Sequence, residues 1–308
     1  MKQLANKLPR SPSSNSGLVR YSGTSPEKFD SLLPPPLASG SASRNRIKRY
    51  LSIYYFLARR SVIDILIFRV NALVIGLAPI FWLASMLVFI ATIFSKVKSL
   101  GGWSVWEVVF LTGVHEVIFL LTWATLMPNL RNFINDVRTG RFDQVLLKPI
   151  SPRFLSSFKT VDFTVIGSVF SVIFVFFFSL SRVSIGFNFP KLAGFLILLC
   201  FSYVIAYLIY FIFASLSLFF INSRTLLDII FELTEIDRYP AEIYPVVLKT
   251  FFTFFLPMLF LAYFPTAFLL GKVSAIYIIY AFLVAAVLGF VSHIVWHRGL
   301  RNYQSASS

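Results

Sequence analysis

His115 and Glu116 stand next to each other inside a long apolar run, and side chains of these types can transfer protons or bind metal ions. An ionisable pair within an apolar segment that crosses a membrane indicates a functional site. The zinc-binding pattern H-E-x-x-H needs a second His at position 119, but this chain has Phe119 there, so the spacing excludes that motif. Two interpretations stay open: an intramembrane polar site, or a hydrogen-bonded contact between helices.

The sequence lacks the motifs of several enzyme classes. It contains no G-x-x-x-x-G-K-[ST] phosphate-binding loop, no G-x-S-x-G nucleophile turn, no dinucleotide-binding glycine pattern and no spaced Cys/His metal set. We therefore expect neither an enzyme nor a cofactor in this chain. The single cysteine, Cys200, cannot form an internal disulfide, and its position in an apolar run predicts a small buried side chain.

The composition predicts an integral membrane protein. Of the 308 residues, 57% are hydrophobic and 13% are charged, and the mean hydropathy is +0.78. A soluble core of this length could not bury so much apolar side chain. The net charge of +15 could indicate nucleic-acid binding, but no recognition motif accompanies it. Basic residues are also typical of the cytoplasmic ends of membrane spans, so we expect no nucleic acid among the partners.

Five apolar runs are long enough to cross a hydrocarbon layer of ~30 Å at ~1.5 Å per residue. They cover residues 70–94, 105–127, 161–181, 192–221 and 273–296. Apart from Asp162 at the start of the third run, the third and fourth runs carry no charged residue that could serve a proton relay or an ion pathway. We therefore expect membrane-spanning helices to position the functional side chains of this chain.

A further span between 222 and 270 is ambiguous. Six charged side chains fall between Asp228 and Glu242, and each charge at the centre of a bilayer costs about 2.5–3.5 kcal/mol. We therefore expect this acidic stretch to be interfacial or shielded by protein. The charge argument favours a cytoplasmic loop there and makes 250–270, which Pro257 and Pro265 interrupt, the fifth of six spans.

The N-terminal region differs in composition from the rest. Residues 1–43 are rich in Ser, Pro and basic residues without apolar periodicity, which predicts a disordered cytosolic tail. The tail has no apolar core of a secretory signal, although its composition has some likeness to an organellar transit peptide. Residues 44–69 mix basic residues with aromatics and aliphatics, which indicates an amphipathic helix at the membrane surface before the first span.

The distribution of Lys and Arg predicts the orientation of the chain. The loop 128–160 carries six of these residues, whereas the links after the first and third runs carry two each. Because Lys and Arg accumulate on the cytoplasmic side, we place this loop and both termini in the cytoplasm.

Residues 132–159 form the longest polar interruption in the first two-thirds of the chain. Apolar side chains recur there at spacings of three or four on both sides of Gly140, and Pro149 and Pro152 are expected to end the helical part. These side chains are Phe133, Ile134, Val137, Phe142, Val145 and Leu146. The pattern predicts two short helical turns whose apolar edges fit a groove on a soluble partner, which would supply the driving force. The alternative is a merely solvated loop.

Three sequence blocks carry a resemblance to a known family. The run RTGRFDQVLLKPISP at 138–152 resembles the signature I-R-x-G-x-[LF]-D-x-x-L-L-[RK]-P-[IV]-S-P of a bacterial branch of the type-2 ATP-binding-cassette (ABC) transporter permeases. RYPAEIYP at 238–245, followed by FLPMLFLAYFPTAFLLG at 255–271, and the closing WHRGLRNYQSAS from Trp296 also agree. The resemblance covers almost everything after residue 44, and the long N-terminal tail departs from the family pattern.

The resemblance implies an all-α membrane permease of six transmembrane helices with an N-terminal elbow helix and a cytoplasmic coupling helix. Such a subunit pairs with itself or a sibling and works as an exporter, driven by two copies of a separate ATPase that bind ATP and Mg²⁺. The coupling helix, which docks on the ATPase, corresponds to 136–149. The implied docking residues are Asp136, Arg138, Gly140, Arg141, Asp143, Leu147 and Pro149.

The resemblance also implies a topology that competes with the charge argument. It places RYPAEIYP near the outer face, makes 250–270 a re-entrant hairpin and turns the acidic stretch into a shielded fifth span. The expected location is the bacterial inner membrane, with an organellar membrane less favoured. Uncharged spans favour an amphiphilic or lipid-like substrate. The alternative function is a self-contained channel or ion-coupled carrier that uses His115 and Glu116.

Overall fold

The structure, a computed structural model, describes residues 69–162, 165–183, 188–220 and 223–303. The predicted tail at 1–43 lies outside these residues, and so does the predicted amphipathic helix at 44–69, apart from Arg69. Helix is the only extended regular structure in the described ranges, which confirms the all-α class. The helices are α1 (Arg69–Phe94), α2 (Val105–Thr125), α3 (Met127–Arg138), α4 (Phe142–Leu146), α5 (Pro152–Phe158), α6 (Ile166–Arg182), α7 (Phe189–Ser215), α8 (Ser223–Glu232), α9 (Val246–Thr250), α10 (Tyr263–Leu269) and α11 (Ile276–Asn302).

Among the described residues, three helical segments are long and apolar enough to cross a membrane: Val105–Arg138, Phe189–Leu218 and Ile276–Asn302. Three shorter apolar helices accompany them, at Ile80–Phe94, Ser168–Arg182 and Val246–Phe255. These segments are compatible with an integral membrane protein. The count of six spans stays a prediction.

The start of α2 is fixed by its sequence. Ser104 and Glu107 form a capping box, in which the Ser104 side chain accepts from the Glu107 backbone N–H and Glu107 Oε2 accepts from Ser104 N at 2.7 Å. The turn before it contains Gly101 and Gly102, whose φ angles of 59° and 82° favour glycine. We call this end of the molecule the Trp103 end.

α2 continues into α3 with little interruption, although Pro128 removes one backbone N–H from the helix. The carbonyl oxygen of Ala124 would normally accept that N–H, and it accepts the N–H of Asp162 at 2.7 Å instead. Helical hydrogen bonds bridge the junction, for example from Leu126 N to Thr122 O at 2.8 Å. The Asp162 contact therefore stabilises the junction and also holds the chain just before α6. We call the far end of this long helix the Arg141 end.

α7 packs against α11, α10 and α8, and α2 packs against α6. The approach between α2 and α6 is close at Gly113, where a Cβ atom would lie 3.2 Å from the Cα of Phe176. Cys200 lies exposed on α7, so the prediction of a buried cysteine is wrong. The reason is that an apolar run in a membrane protein has two apolar environments, the core and the lipid, and composition does not distinguish them.

The acidic stretch runs along α2 and α3 in the opposite direction. Near the Arg141 end, Asp228 pairs with Arg131 at 2.9 Å, and at the Trp103 end Glu242 accepts from Trp103 Nε1 at 3.0 Å. Between them, the ring of Phe231 contacts Phe119 and Trp123, and Asp237 bonds His115. We call residues 223–243 the crossing segment because they pass from one end of the long helix to the other.

The chain after the crossing segment enters and leaves the bundle at the Trp103 end. Lys272 follows residues 250–270, and its Nζ lies 3.2 Å from both Gly102 O and Glu107 Oε1. Midway, the Phe260 carbonyl oxygen accepts a hydrogen bond from Ser202 of α7 at 2.7 Å. Residues 250–270 therefore form a hairpin rather than a crossing, and the topology favoured by the charge argument is wrong. The cost that the argument assigned applies to unpaired charges that face lipid. In the structure Asp237 and Arg238 are buried, and Asp228, Glu235 and Glu242 each contact a polar or basic side chain of this protein.

Candidate functional site

The loop 132–159 lies at the Arg141 end and is largely helical. α3 ends at Arg138, Gly140 takes a φ of 73°, and α4 covers Phe142–Leu146. The predicted break at Gly140 is confirmed, because only glycine adopts that left-handed conformation without strain. Pro152 begins a third helix, α5, which Ser151 caps by accepting from Phe154 N. The expectation that Pro152 ends helical structure is therefore wrong, since Pro also suits a first helical turn.

Four of the six apolar side chains in the predicted pattern point inward, whereas Val145 is half-buried and Leu146 is exposed. Phe133, Ile134, Val137 and Phe142 are buried in the core of this chain. The ring of Phe142 contacts Trp296 and Tyr303 of the closing block, at centroid distances of 6.3 and 5.5 Å. For these four buried side chains the prediction that the apolar edges face a partner is wrong, because they attach the loop to the core of this chain, including α11.

The outward face of the loop holds most of the predicted docking residues. Leu147 exposes 86% of its surface, and the side chain of Arg141 is 57% exposed. Arg141 Nε lies 3.2 Å from Asp136 Oδ1, which joins the two sides of the Gly140 turn. Arg138 and Pro149 are exposed, whereas Asp143 is half-buried. The structure thus brings the seven predicted residues together on α3, α4 and the turns beside them.

A side chain that sequence reasoning missed closes the base of this loop. Asn129 Oδ1 accepts from the N–H and the hydroxyl of Thr160 at 2.8 and 2.9 Å, and Asn129 Nδ2 donates to Thr160 O and Thr125 O, both at 2.7 Å. The amide oxygen of Asn129 thus accepts two hydrogen bonds and its nitrogen donates two, which is the full capacity of this side chain. We call this arrangement the Asn129 clasp. It fixes the start and the end of the loop to each other.

His115 and Glu116 lie in the middle of α2 and belong to a buried group of charges. Arg238 Nη2 lies 3.1 Å from Glu116 Oε1 and 2.9 Å from Glu235 Oε2, and His115 bonds Asp237 through Nδ1 and lies 3.7 Å from Glu235 through Nε2. Asp237 and Arg238 expose 0% and 1% of their surface. We call these five residues the ion-pair cluster.

The ion-pair cluster joins α2 to the crossing segment, which supports the interpretation of His115 and Glu116 as a contact between helices. Its hydrogen bonding is incomplete: Arg238 Nε and Nη1 and Asp237 Oδ2 are buried and have no hydrogen-bond partner. Within the described ranges, no three His, Cys, Asp or Glu side chains are arranged to hold a metal ion. Sequence reasoning missed the pairing, although the dipeptide Asp237–Arg238 complements His115–Glu116 in charge.

The blocks of the family resemblance contact one another in the structure. At the Trp103 end, Glu242 of RYPAEIYP accepts from the Tyr263 hydroxyl of the hairpin at 2.5 Å. At the Arg141 end, Phe142 of the loop packs on Trp296 and Tyr303 of the closing block. Each end of the molecule is thus held by a pair of these blocks.

Comparisons with known proteins identify the family. No curated protein and no solved structure matches the chain. The family described as ABC-2 family transporter protein matches residues 80–307, which include the loop, the ion-pair cluster, the hairpin and the closing block. The chain therefore belongs to the ABC-2 family of transporter proteins, as a membrane-embedded permease component of an ABC transporter.

Proposed function

We propose that this chain is the permease subunit of an ATP-driven exporter and that a separate ATPase docks on the exposed face of residues 136–149. ABC-2 family permeases generally work with an ABC ATPase. The observation that carries the proposal is the division of the loop into two faces. Its buried apolar residues, such as Phe142, attach it to α11, while Arg141 and Leu147 stay exposed at the end of a helix that continues into the bundle.

The remaining parts of the proposal concern assembly and substrate. Two permease subunits, identical or related, work with two ATPase subunits, which bind ATP and Mg²⁺. This chain contributes no catalytic group. Both termini and the docking loop face the cytoplasm of a bacterial cell. The substrate is amphiphilic or lipid-like, in keeping with apolar outer faces such as Phe170, Phe174 and Phe177 on α6.

The test replaces two exposed residues and the half-buried Asp143, and it leaves the fully buried residues of the loop in place. The chain is coexpressed with an ATPase subunit from the same genome, and the complex is purified in detergent through a tag on the permease. Replacing Arg141, Asp143 and Leu147 with Ala should lower the amount of recovered ATPase at least about tenfold, because a few central residues supply most of the energy of an interface. Membrane insertion should not change.

The matched control is Arg224→Ala. Arg224 is 66% exposed and belongs to the Arg141 end through its contact with Asp228, but it lies outside the loop. Its replacement should leave the recovery of ATPase unchanged. Full recovery of active ATPase with the triple variant would show that the loop is not the docking site.

One observation favours the alternative, an ion-coupled carrier: the ion-pair cluster has buried nitrogen and oxygen atoms without partners. That function requires transport by the permease alone in liposomes without ATP. The ion pair between Arg238 and Glu116 favours a structural role for the cluster. A double-mutant cycle on these two residues tests that role.

A further inference from the structure

Arg153 in α5 bonds two neighbouring helices at once. Its Nε donates to the Tyr207 hydroxyl of α7 at 3.1 Å, and its Nη2 donates to Ser292 Oγ of α11 at 2.9 Å. The guanidinium carbon lies 4.6 Å from the centroid of the Phe211 ring, also in α7. Arg153 therefore links the docking loop to both helices.

The chemistry of this link requires arginine. A planar guanidinium presents several N–H donors in a fixed geometry and can stack on an aromatic ring at the same time. The ammonium group of lysine is a compact charge and cannot reproduce both directed hydrogen bonds and the stacking. Ser292 is fully buried, so its hydroxyl does not lie where bulk water could replace the bond to Arg153.

On the loop side, Arg153 is held firmly. Ser157 Oγ donates to the carbonyl oxygen of Arg153 at 2.9 Å and lies 3.3 Å from the Tyr207 hydroxyl. The Asn129 clasp fixes the ends of the loop to each other. A displacement of the loop therefore displaces Arg153.

The loop also contacts α11 through Trp296, whose ring packs on Phe133 and Phe142. Contacts between rings remain favourable over centroid separations of about 4.5–7 Å and so permit some sliding. A charge-assisted hydrogen bond is confined to a narrower range of distances and angles. Of the connections described above, the one through Arg153 is thus the better suited to transmit a defined movement.

We propose that Arg153 is a positioning residue that transmits the displacement of the ATPase-docking loop to α7 and α11. This inference rests on the proposed function, because it needs an ATPase that moves the loop. It adds the path by which the movement enters the bundle.

The test measures hydrogen–deuterium exchange of the permease–ATPase complex in lipid nanodiscs, with and without MgATP and vanadate. In the unmodified complex, nucleotide trapping should change deuterium uptake in peptides from the loop and in peptides that contain Tyr207 and Ser292. In Arg153→Gln the change in the loop should persist, while the change in the other two peptides should fall about fivefold or more, the lower end of typical coupling between sites.

Two further variants separate this role from a general loss of structure. Tyr207→Phe combined with Ser292→Ala removes both acceptors and keeps the ring beneath the guanidinium, so it should give the same result even where Arg153→Gln assembles poorly. Arg153→Lys should restore part of the response. The control is Arg182→Gln, because the Arg182 guanidinium also lies over two rings, those of Trp106 and Phe178, but away from the loop. It should leave the response intact.

Two results would overturn the inference, and they differ in what they leave standing. If the loop responds to nucleotide and α7 and α11 respond fully in both the Arg153→Gln and the acceptor variant, the path is wrong and the docking function remains. If the loop of the unmodified complex does not respond at all, the docking function fails and the inference fails with it.

Discussion

At the scale of single residues, the main electrostatic feature is a charge that is almost fully buried. Arg238 forms ion pairs with both Glu116 and Glu235. An unpaired buried charge is costly, whereas a pair of charges can often be exchanged for neutral groups at little cost. The two carboxylates and the guanidinium should therefore depend on one another for stability.

The first prediction is a double-mutant cycle on this pair. Glu116→Gln and Arg238→Gln should each lower the free energy of unfolding by up to about 3–5 kcal/mol, because each removes one member of a buried ion pair and leaves the other incompletely compensated. The double variant should lose less than the sum of the two. Unfolding of the permease in detergent, followed by circular dichroism during titration with a denaturing detergent, gives the three values.

The control for this cycle is Glu107→Gln. Gln preserves the capping box at the start of α2, so only the partly exposed ion pair with Lys272 is lost, at about 0–1 kcal/mol. Strictly additive costs for Glu116 and Arg238 would show that the pair does not stabilise the fold. Ion flux into ATP-free liposomes that disappears in Glu116→Gln would assign the cluster to a carrier instead.

Sequence reasoning identified one half of this cluster. His115 and Glu116 stand out because they are ionisable residues in an apolar run. Their partners Asp237 and Arg238 lie about 120 positions further along the chain in a stretch that charge counting assigned to a loop. Periodicity contains no information on which distant segments pack together, so the pairing needed the fold.

At the scale of elements, the docking loop shows what a periodic pattern can predict. The spacing of Phe133, Ile134, Val137 and Phe142 indicates that they share a face, and they do. Periodicity does not indicate whether that face contacts a partner or the chain itself. α11, which begins more than 130 residues after Phe142, occupies the face in this protein.

The second prediction concerns the clasp that closes the loop. Asn129→Ala should raise the rate of deuterium uptake in residues 139–150 about tenfold, because the variant loses the side-chain hydrogen bonds that hold the loop ends. Hydrogen–deuterium exchange of the permease alone is sufficient for the measurement.

The matched control for the clasp is Asn132→Ala, since Asn132 is the same residue type three positions later and is exposed. It should leave the uptake of the loop unchanged. Equal effects of the two variants, or none from Asn129→Ala, would show that packing against α11 alone determines the rigidity of the loop.

At the scale of the whole molecule, the competing topologies differ in the side of the membrane on which Glu242 lies. In the structure Glu242 contacts Trp103, at the end opposite to Leu147. The charge argument placed the acidic stretch on the same side as the docking loop. The two arrangements can be distinguished in intact membranes.

The third prediction is that single cysteines at 98 and 242 react from one side of the membrane and single cysteines at 147 and 224 from the other. The substitutions Lys98→Cys, Glu242→Cys, Leu147→Cys and Arg224→Cys are made in a Cys200→Ser background. A membrane-impermeant maleimide is applied to inside-out and right-side-out vesicles, and labelling is read by gel shift. Labelling of Glu242→Cys from the same side as Leu147→Cys would reject the crossing segment.

The gross architecture could be predicted from composition alone, because an apolar excess of this size requires a membrane. The positions of α2, α7 and α11 follow from long apolar runs. The crossing segment and the hairpin could not be predicted in this way, because shielding depends on groups such as Arg131 and Trp103 that are distant in sequence. The family resemblance implied a shielded crossing at the acidic stretch and a hairpin at 250–270, whereas the charge argument favoured the opposite arrangement.

The length of the segment Val105–Arg138 has a mechanical consequence. Its 34 residues measure about 51 Å at ~1.5 Å per residue, against ~30 Å for the hydrocarbon layer. The attachment of His115 to the crossing segment lies about 15 Å from one tip and about 35 Å from the other. Because the crossing segment also contacts Arg131 beyond His115, a tilt of the helix would move the crossing segment with it.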